Sequence, residues 1–307
     1  MTAVNNVKHR LLVPVLLLMI LLGGCDIGNK WGDEMGRKEG KLKVITSIVP
    51  LSYFVERVGG EHVAVSVMVP PGGNPHSYEP TPQQMVQLGE ASVFVKAGSG
   101  VEFELDWMPR MMSLNGDLQV CNASEGVELQ PIKRHAAAHK AQHYHAQFDP
   151  HFWLTPLNGV RIARNVERAL VAADPANAAA YKANAGALVA ELEMLDKEIR
   201  TTFGGVTKKR FLVFHPAWGY YANAYGLEQI AVEEEGKSLT PVQMQRVIQQ
   251  AAAHRISVIF VSPQSSESQA AAIASEVGAK LGRVDALAYD YQANLRNATR
   301  AFVESMQ

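Results

Sequence analysis

The chain has 307 residues, of which 47% are hydrophobic and 19% are charged, and this composition is typical of a globular protein. Its 29 basic and 30 acidic residues give a net charge of −1, which argues against nucleic acid as a partner. Two cysteines are too few for a disulfide-stapled scaffold, and the lack of a second long apolar run beyond residues 1–25 excludes a polytopic membrane protein.

Residues 1–25 are predicted to be a lipoprotein signal peptide. Lys8 and Arg10 precede an apolar stretch, residues 11–22, which is short for a membrane span but suits a secretory signal. The stretch ends in two glycines and Cys25, and this ending resembles the lipobox of bacterial lipoproteins, in which the cysteine is lipidated. We therefore expect an exported protein that Cys25 anchors to the periplasmic or outer face of the cytoplasmic membrane. An ordinary apolar leader that happens to end near a cysteine is the alternative.

The segment after the signal is predicted to be a flexible tether, because residues 26–41 are polar, contain glycine and mix both signs of charge. Lipidation of Cys25 leaves Cys121 without a partner in the chain. A free exposed thiol is a liability in an oxidising compartment, so we expect Cys121 to be buried and inert.

The mature chain alternates short apolar runs with helical patterns, which predicts an α/β fold with parallel sheets. The predicted strands form two groups: 43–49, 63–69 and 92–96, followed later by 211–214, 229–232, 258–261 and 282–285. Predicted helices include 51–58, 82–88 and 241–254. Two of these helices are expected to begin after Thr81 and Thr240, where a capping residue precedes a proline.

A long helical block, residues 157–203, separates the two groups of strands. Pro175 interrupts the block, so a second helix is predicted over 176–202. Its one apolar face carries leucine and isoleucine at spacings of three and four residues. A helix of about 27 residues spans roughly 40 Å, and we expect it to join an N-terminal lobe, 42–175, to a C-terminal lobe, 203–307.

A histidine-rich segment, residues 135–145, lies before the long helical block. It contains four histidines: His135, His139, His143 and His145. If this segment were helical, the first three would share one face and could hold a divalent metal ion. A solvated polar loop is the alternative.

Four further candidates lie at loop positions that flank a strand or a helix: His76, His151, His215 and Asp285. Ligand groups collect at strand ends in open α/β sheets. Three neutral imidazoles and one carboxylate suit Zn²⁺ well and Mn²⁺ acceptably. A single histidine is more often a packed or surface residue, so composition alone does not select this set over His62 or His254.

The sequence around these candidates resembles the metal-binding solute-binding proteins of ABC transporters, the zinc and manganese family that includes the high-affinity zinc uptake receptor. The similar stretches are 74–81 (NPHSYEPT), 149–156 (DPHFWLTP), 215–227 (HPAWGYYANAYGL) and 239–285, and the likeness extends over residues 42–307. The resemblance implies two α/β lobes, each with a mainly parallel sheet and flanking helices. It also implies that a long rigid helix joins the lobes and that the metal lies in the cleft between them.

The resemblance further implies a set of metal ligands, namely His76, His151, His215 and Asp285. Histidine at position 215, in place of the glutamate of manganese-preferring members, favours zinc. Ala286 follows Asp285 where proline is usual, and this leaves a water molecule as the alternative fourth ligand. The segment 135–145 lies where zinc-specific members carry a His-rich loop, so its histidines are predicted to form a secondary metal loop.

These expectations combine into one functional hypothesis. The chain is predicted to be a monomeric receptor, not an enzyme, that captures Zn²⁺ and delivers it to the permease and ATPase of an ABC importer. Transport of Mn²⁺ or another divalent ion is an alternative, and so are a zinc-dependent hydrolase and an adhesin. The sequence has no HExxH stretch, which argues against the hydrolase.

Overall fold

The computed structural model describes residues 40–132, 147–233, 240–254 and 256–307. The predicted signal peptide with Cys25, nearly all of the tether and the histidines of the segment 135–145 lie outside these described residues, and they remain predictions. No helix within the described ranges has both the length and the apolar character needed to cross a membrane.

Two four-stranded parallel sheets form the framework. In the first sheet the strands are β1 (Leu42–Ile48), β2 (Val63–Val69), β3 (Val93–Lys96) and β4 (Gln119–Asn122), in the order β2-β1-β3-β4. In the second they are β5 (Arg210–Val213), β6 (Glu228–Ala231), β7 (Val258–Val261) and β8 (Lys280–Arg283), in the order β6-β5-β7-β8. All seven residues of β2 are buried, as expected for a parallel sheet that helices cover on both faces.

Nine α-helices in the described ranges flank the sheets: α1 (Val49–Gly59), α2 (Pro82–Gly89), α3 (Glu102–Leu114), α4 (Pro156–Ala173), α5 (Ala178–Phe203), α6 (Gly219–Ala224), α7 (Pro241–Ala253), α8 (Glu267–Val277) and α9 (Tyr291–Ser305). The predicted starts of α2 and α7 are confirmed. The side chains of Thr81 and Thr240 accept hydrogen bonds from the backbone N–H groups of Gln84 and Gln243, and each glutamine side chain bonds back to the cap.

The predicted long helix is present as α5, which begins two residues later than expected because Pro175–Asn177 form a 3-10 turn. Its 26 residues span about 39 Å. The predicted apolar face is buried and consists of Leu188, Leu192, Leu195 and Ile199. Glu191 on α5 accepts hydrogen bonds from Arg57 on α1, at 2.8 Å, and from Gln292 on α9, at 2.7 Å. The helix therefore joins the two halves of the molecule, and the predicted two-lobed α/β architecture is confirmed.

The last strand differs from the sequence prediction. A strand was expected over 282–285, whereas β8 ends at Arg283 because its partner β7 offers four residues, which pair from Val258↔Lys280 to Val261↔Arg283. Asp285 therefore lies in the loop beyond the sheet. The strand β4 was not predicted at all.

Cys121 lies in β4 and is buried as predicted, with 6% of its surface exposed. Burial raises the pKa of its thiol to about 12, so the reactive thiolate is scarce at neutral pH. The expected burial of Cys121 is confirmed, and its inertness stays a prediction.

Candidate metal centre

Three of the four candidate ligands come together from separate parts of the chain. His76 lies in the loop between β2 and α2, His151 lies just before α4, and His215 follows β5 by two residues. One ring nitrogen from each histidine lies within 4.8 Å of the corresponding nitrogens of the other two. The structure therefore places these histidines in one cluster, in the cleft between the two lobes.

Local hydrogen bonds fix the loops that carry the histidines. The side chain of Asn74 accepts the backbone N–H of His76 at 3.0 Å, and the N–H of Phe103 at the start of α3 donates to the carbonyl of Pro75 at 3.2 Å. Beside His151, the Ser99 hydroxyl donates to the Pro150 carbonyl at 2.6 Å. These contacts fix the backbone beside His76 and His151.

Two of the three separations between the imidazole nitrogens match a tetrahedral zinc site. The Nε2 atom of His215 lies 3.4 Å from Nε2 of His76 and 3.2 Å from Nε2 of His151. Two Zn–N bonds of about 2.05 Å that meet at a tetrahedral angle separate their nitrogens by about 3.4 Å. One zinc ion could therefore bind all three Nε2 atoms with little rearrangement.

Each of these histidines is also paired with a carboxylate on the opposite side of its ring. The distance from Nδ1 to the carboxylate oxygen is 2.8 Å in all three pairs, which are His76–Glu102, His151–Asp149 and His215–Glu233. A carboxylate at Nδ1 fixes the proton there and leaves the Nε2 lone pair free for a metal. The three carboxylates therefore aim three basic nitrogens at one point.

Burial and charge act differently on the histidines. Burial lowers the pKa of His76, but the hydrogen bond and negative charge of Glu102, together with the charge of Glu233, raise it by more, so the net pKa lies above the ordinary value. Burial and the neighbouring imidazoles lower the pKa of His215, and Glu233 offsets this only in part. In the metal-free protein a proton therefore binds more readily to His76 than to His215.

Sequence reasoning missed the three carboxylates. Asp149 stands two residues before His151 in a stretch that was singled out, but no role was assigned to it. Glu233 could have been found only from the strand register. Val213 of β5 pairs with Ala231 of β6, so the residues two positions further along the two strands, His215 and Glu233, become neighbours.

Asp285 stands apart from the histidine cluster. Among the residues that the structure describes, it does not belong to the group whose ligand atoms lie within 4.8 Å of one another. One of its carboxylate oxygens accepts the N–H of Leu287 at 2.9 Å, and the side chain of Gln264 also bonds to it. Burial raises its pKa above the ordinary value. Its role as a ligand stays a prediction.

The cavity at the cluster is small. Its volume is about 50 Å³, and its lining includes the three histidines, with Val101 from the first lobe and Ser262 and Leu287 from the second. A space of this size holds an ion with a few water molecules. It suits a metal ion better than an organic solute.

Comparisons with known proteins agree with this geometry. A sequence model of the family described as zinc-uptake complex component A, periplasmic, matches residues 44–305. The chain is 30% identical over 249 residues to a putative metal-binding protein of Treponema pallidum, with 78% of each protein covered. It is 29% identical over 279 residues to the high-affinity zinc uptake system protein ZnuA of Bacillus subtilis, over 88% of this chain and 85% of that protein. A crystal structure of a ZnuA superposes with a TM-score of 0.80 at 32% identity, covering 87% of this chain and 100% of that one.

Proposed function

Since the chain belongs to the family of periplasmic zinc-uptake complex A components, we propose that it captures Zn²⁺ outside the cytoplasm and delivers it to an ABC importer. Proteins of this family are substrate-binding receptors and not enzymes. They function with a permease and an ATPase. The observation that carries the zinc assignment is the convergence of three histidines within 4.8 Å, with Nε2 of His215 at distances from the other two Nε2 atoms that suit a tetrahedral ion.

The donor set favours zinc over manganese. Imidazole nitrogen suits Zn²⁺, whereas Mn²⁺ prefers carboxylate, carbonyl and water oxygens. The carboxylates of Glu102, Asp149 and Glu233 each bond to the Nδ1 atom of a histidine, so the Nε2 atoms are the donors left for the metal. In zinc proteins, a ligating histidine commonly donates its other ring N–H to a carboxylate, as each of these three histidines can.

Several finer features belong to the same proposal. Asp285 supplies the fourth ligand, with water as the alternative, because Leu287 two residues further on lines the cavity. The histidines of the segment 135–145, which are His135, His139, His143 and His145, act as a secondary capture loop. The mature chain is a monomer that a lipid on Cys25 holds at the membrane.

The direct test measures the metal that the protein carries and the ion that it prefers. We expect protein purified without added metal to contain one tightly held zinc per chain, and competition with a chromophoric chelator to show tighter binding of Zn²⁺ than of Mn²⁺. Raw affinity follows the Irving–Williams order whatever the cargo, so a strain lacking the gene, and lacking redundant importers, must also be tested. That strain should fail to grow under zinc limitation and recover when zinc is added.

Other outcomes point to the alternatives. If manganese and not zinc restores growth of the deletion strain, Mn²⁺ is the transported ion. Normal zinc uptake in the deletion strain would favour an adhesin, and metal-dependent turnover of an ester or peptide panel would favour a hydrolase.

Zinc affinity is expected to fall on acidification, because protons compete for the Nε2 lone pairs. The pKa of His76 is raised, so the fall should begin above pH 6.5, the ordinary value for histidine. Glu102→Gln removes the negative charge that raises this pKa. We expect that variant to bind zinc about 10- to 100-fold more weakly at pH 8 and to lose affinity only at a lower pH than the unmodified protein.

Titrations of zinc affinity between pH 5 and about pH 8, the range in which histidine changes charge, measure this difference. Glu90→Gln is the matched control, since Glu90 pairs with Lys43 at the surface, and it should leave the whole curve unchanged. An identical onset of the fall in the Glu102→Gln variant would contradict the assignment of the proton to His76.

A further inference from the structure

Asp149 determines the orientation of one histidine of the cluster. A single carboxylate oxygen, Oδ1, accepts both the backbone N–H of His151, at 2.9 Å, and Nδ1 of its ring, at 2.8 Å. Both side chains are largely buried, with 16% of Asp149 and 9% of His151 exposed. The direction in which Nε2 of His151 points therefore depends on where Asp149 is held.

The second lobe holds the backbone of Asp149. The hydroxyl of Tyr220, on α6, donates to the Asp149 carbonyl at 3.0 Å and accepts the N–H of Gln130 at 2.9 Å. The N–H of Asp149 in turn donates to the Gln130 carbonyl at 2.8 Å. Tyr220 is 3% exposed, so water cannot readily replace its hydroxyl in these bonds.

The residue before Tyr220 fits the carboxylate of Asp149. A Cβ atom added at Gly219 would lie 2.7 Å from Oδ2 of Asp149, a separation that real Cβ atoms essentially never show. Glycine at this position therefore gives the carboxylate the room it occupies beside His151. Two successive residues of α6 thus position Asp149. Gly219 leaves room for its carboxylate, and the Tyr220 hydroxyl bonds to its carbonyl.

From these contacts we propose that Gly219 and Tyr220 are positioning residues that hold Asp149, and through it His151, and so set how long the site retains its metal. The inference rests on the proposed function. His215 stands four residues before Gly219 in the same lobe. A small displacement of that lobe therefore acts on His215 directly and on His151 through α6, which loosens two of the three nitrogens together.

The test measures zinc dissociation from the full mature chain. Tyr220→Phe removes one oxygen atom and keeps the ring, so it leaves the Asp149 carbonyl without its donor. We expect zinc to dissociate into excess chelator about tenfold faster from this variant, as for other changes around a metal ligand. The visible absorption bands of the Co²⁺-loaded protein should also change. Gly219→Ala is expected to act in the same direction.

Tyr221→Phe is the matched control. Tyr221 is the next residue of α6 and is also buried, but its hydroxyl bonds to Thr299 at 2.6 Å, within the second lobe. The control should lower the thermal midpoint of unfolding much as Tyr220→Phe does, while its zinc dissociation rate and Co²⁺ spectrum stay those of the unmodified protein.

The possible results separate the two proposals. If the unmodified chain binds zinc, and Tyr220→Phe loses thermal stability but keeps its dissociation rate and Co²⁺ spectrum, the hydroxyl has only a structural role and the inference is wrong. If the unmodified chain binds neither Zn²⁺ nor Co²⁺, the proposed function is wrong and this inference is wrong with it.

Discussion

Replacing His215 with alanine is expected to weaken zinc binding by more than about 100-fold. Loss of a hydrogen-bond partner behind a ligand already costs about 10- to 100-fold, and this change removes a ligand itself. Moreover, Nε2 of His215 lies within 3.4 Å of the Nε2 atoms of both other histidines. Without it, only two imidazoles of the cluster remain to bind the ion. Competition titration with a chelator at pH 8 measures the change.

A second readout comes from thermal unfolding. A ligand present at 100 times its dissociation constant stabilises the folded state by about 2.7 kcal/mol. At the zinc concentration that does this for the unmodified protein, His215→Ala should gain almost nothing. His254→Ala is the matched control, because His254 is exposed at the end of α7, and it should keep both the affinity and the stabilisation. Undiminished zinc affinity in the His215→Ala variant would show that His215 is not a ligand of the metal.

Local chemistry made part of the fold predictable. The pairing of threonine with proline at Thr81 and Thr240 predicted two helix starts, because the chemistry of a helix cap is contained in a few consecutive residues. The apolar face of α5 was equally visible in the spacing of its leucines. The strand β4 was not, because Gln119–Asn122 contains only two apolar residues and it is the pairing of Phe94↔Val120 and Val95↔Cys121 with β3 that defines it.

The sequence predicted the histidines of the site but not the carboxylates that support them. The residues His76, His151 and His215 were singled out by motif resemblance, since composition could not separate them from His62 or His254. The structure then brings these three together, but the supporting carboxylates are a property of the fold.

Glu102 shows why the supporting carboxylates were missed. It lies 26 residues after His76 at the start of a different element, α3, and only the packing of that helix against the β2–α2 loop brings the two side chains to 2.8 Å. The spacing of residues in the sequence therefore could not predict the contact between His76 and Glu102. A carboxylate close to a candidate histidine in the sequence, such as Asp149, is the one case that reading the chain could have found.

A large loss of stability is expected from Phe302→Ala. Phe302 lies on α9, is fully buried, and stacks on Phe211 of β5 with ring centroids 4.2 Å apart. It also contacts Phe260 of β7 at 5.0 Å and Trp218, just before α6, at 5.2 Å. Truncation leaves a cavity among rings that cannot easily collapse, so the free energy of unfolding should fall by about 3–5 kcal/mol. Urea unfolding of the metal-free protein measures it.

Phe302→Ala is also expected to affect the metal site, because the elements that pack on Phe302 carry or support residues of that site. His215 follows β5 directly, and α6, which contacts Asp149, begins directly after Trp218. Loosening the rings beneath both elements should therefore speed zinc dissociation from the folded protein. Met194→Ala is the control, because Met194 is 61% exposed on α5, and its effect should stay within about 0.5 kcal/mol. A loss below about 1 kcal/mol in Phe302→Ala would show that the surrounding rings repack, and zinc dissociation should then remain unchanged.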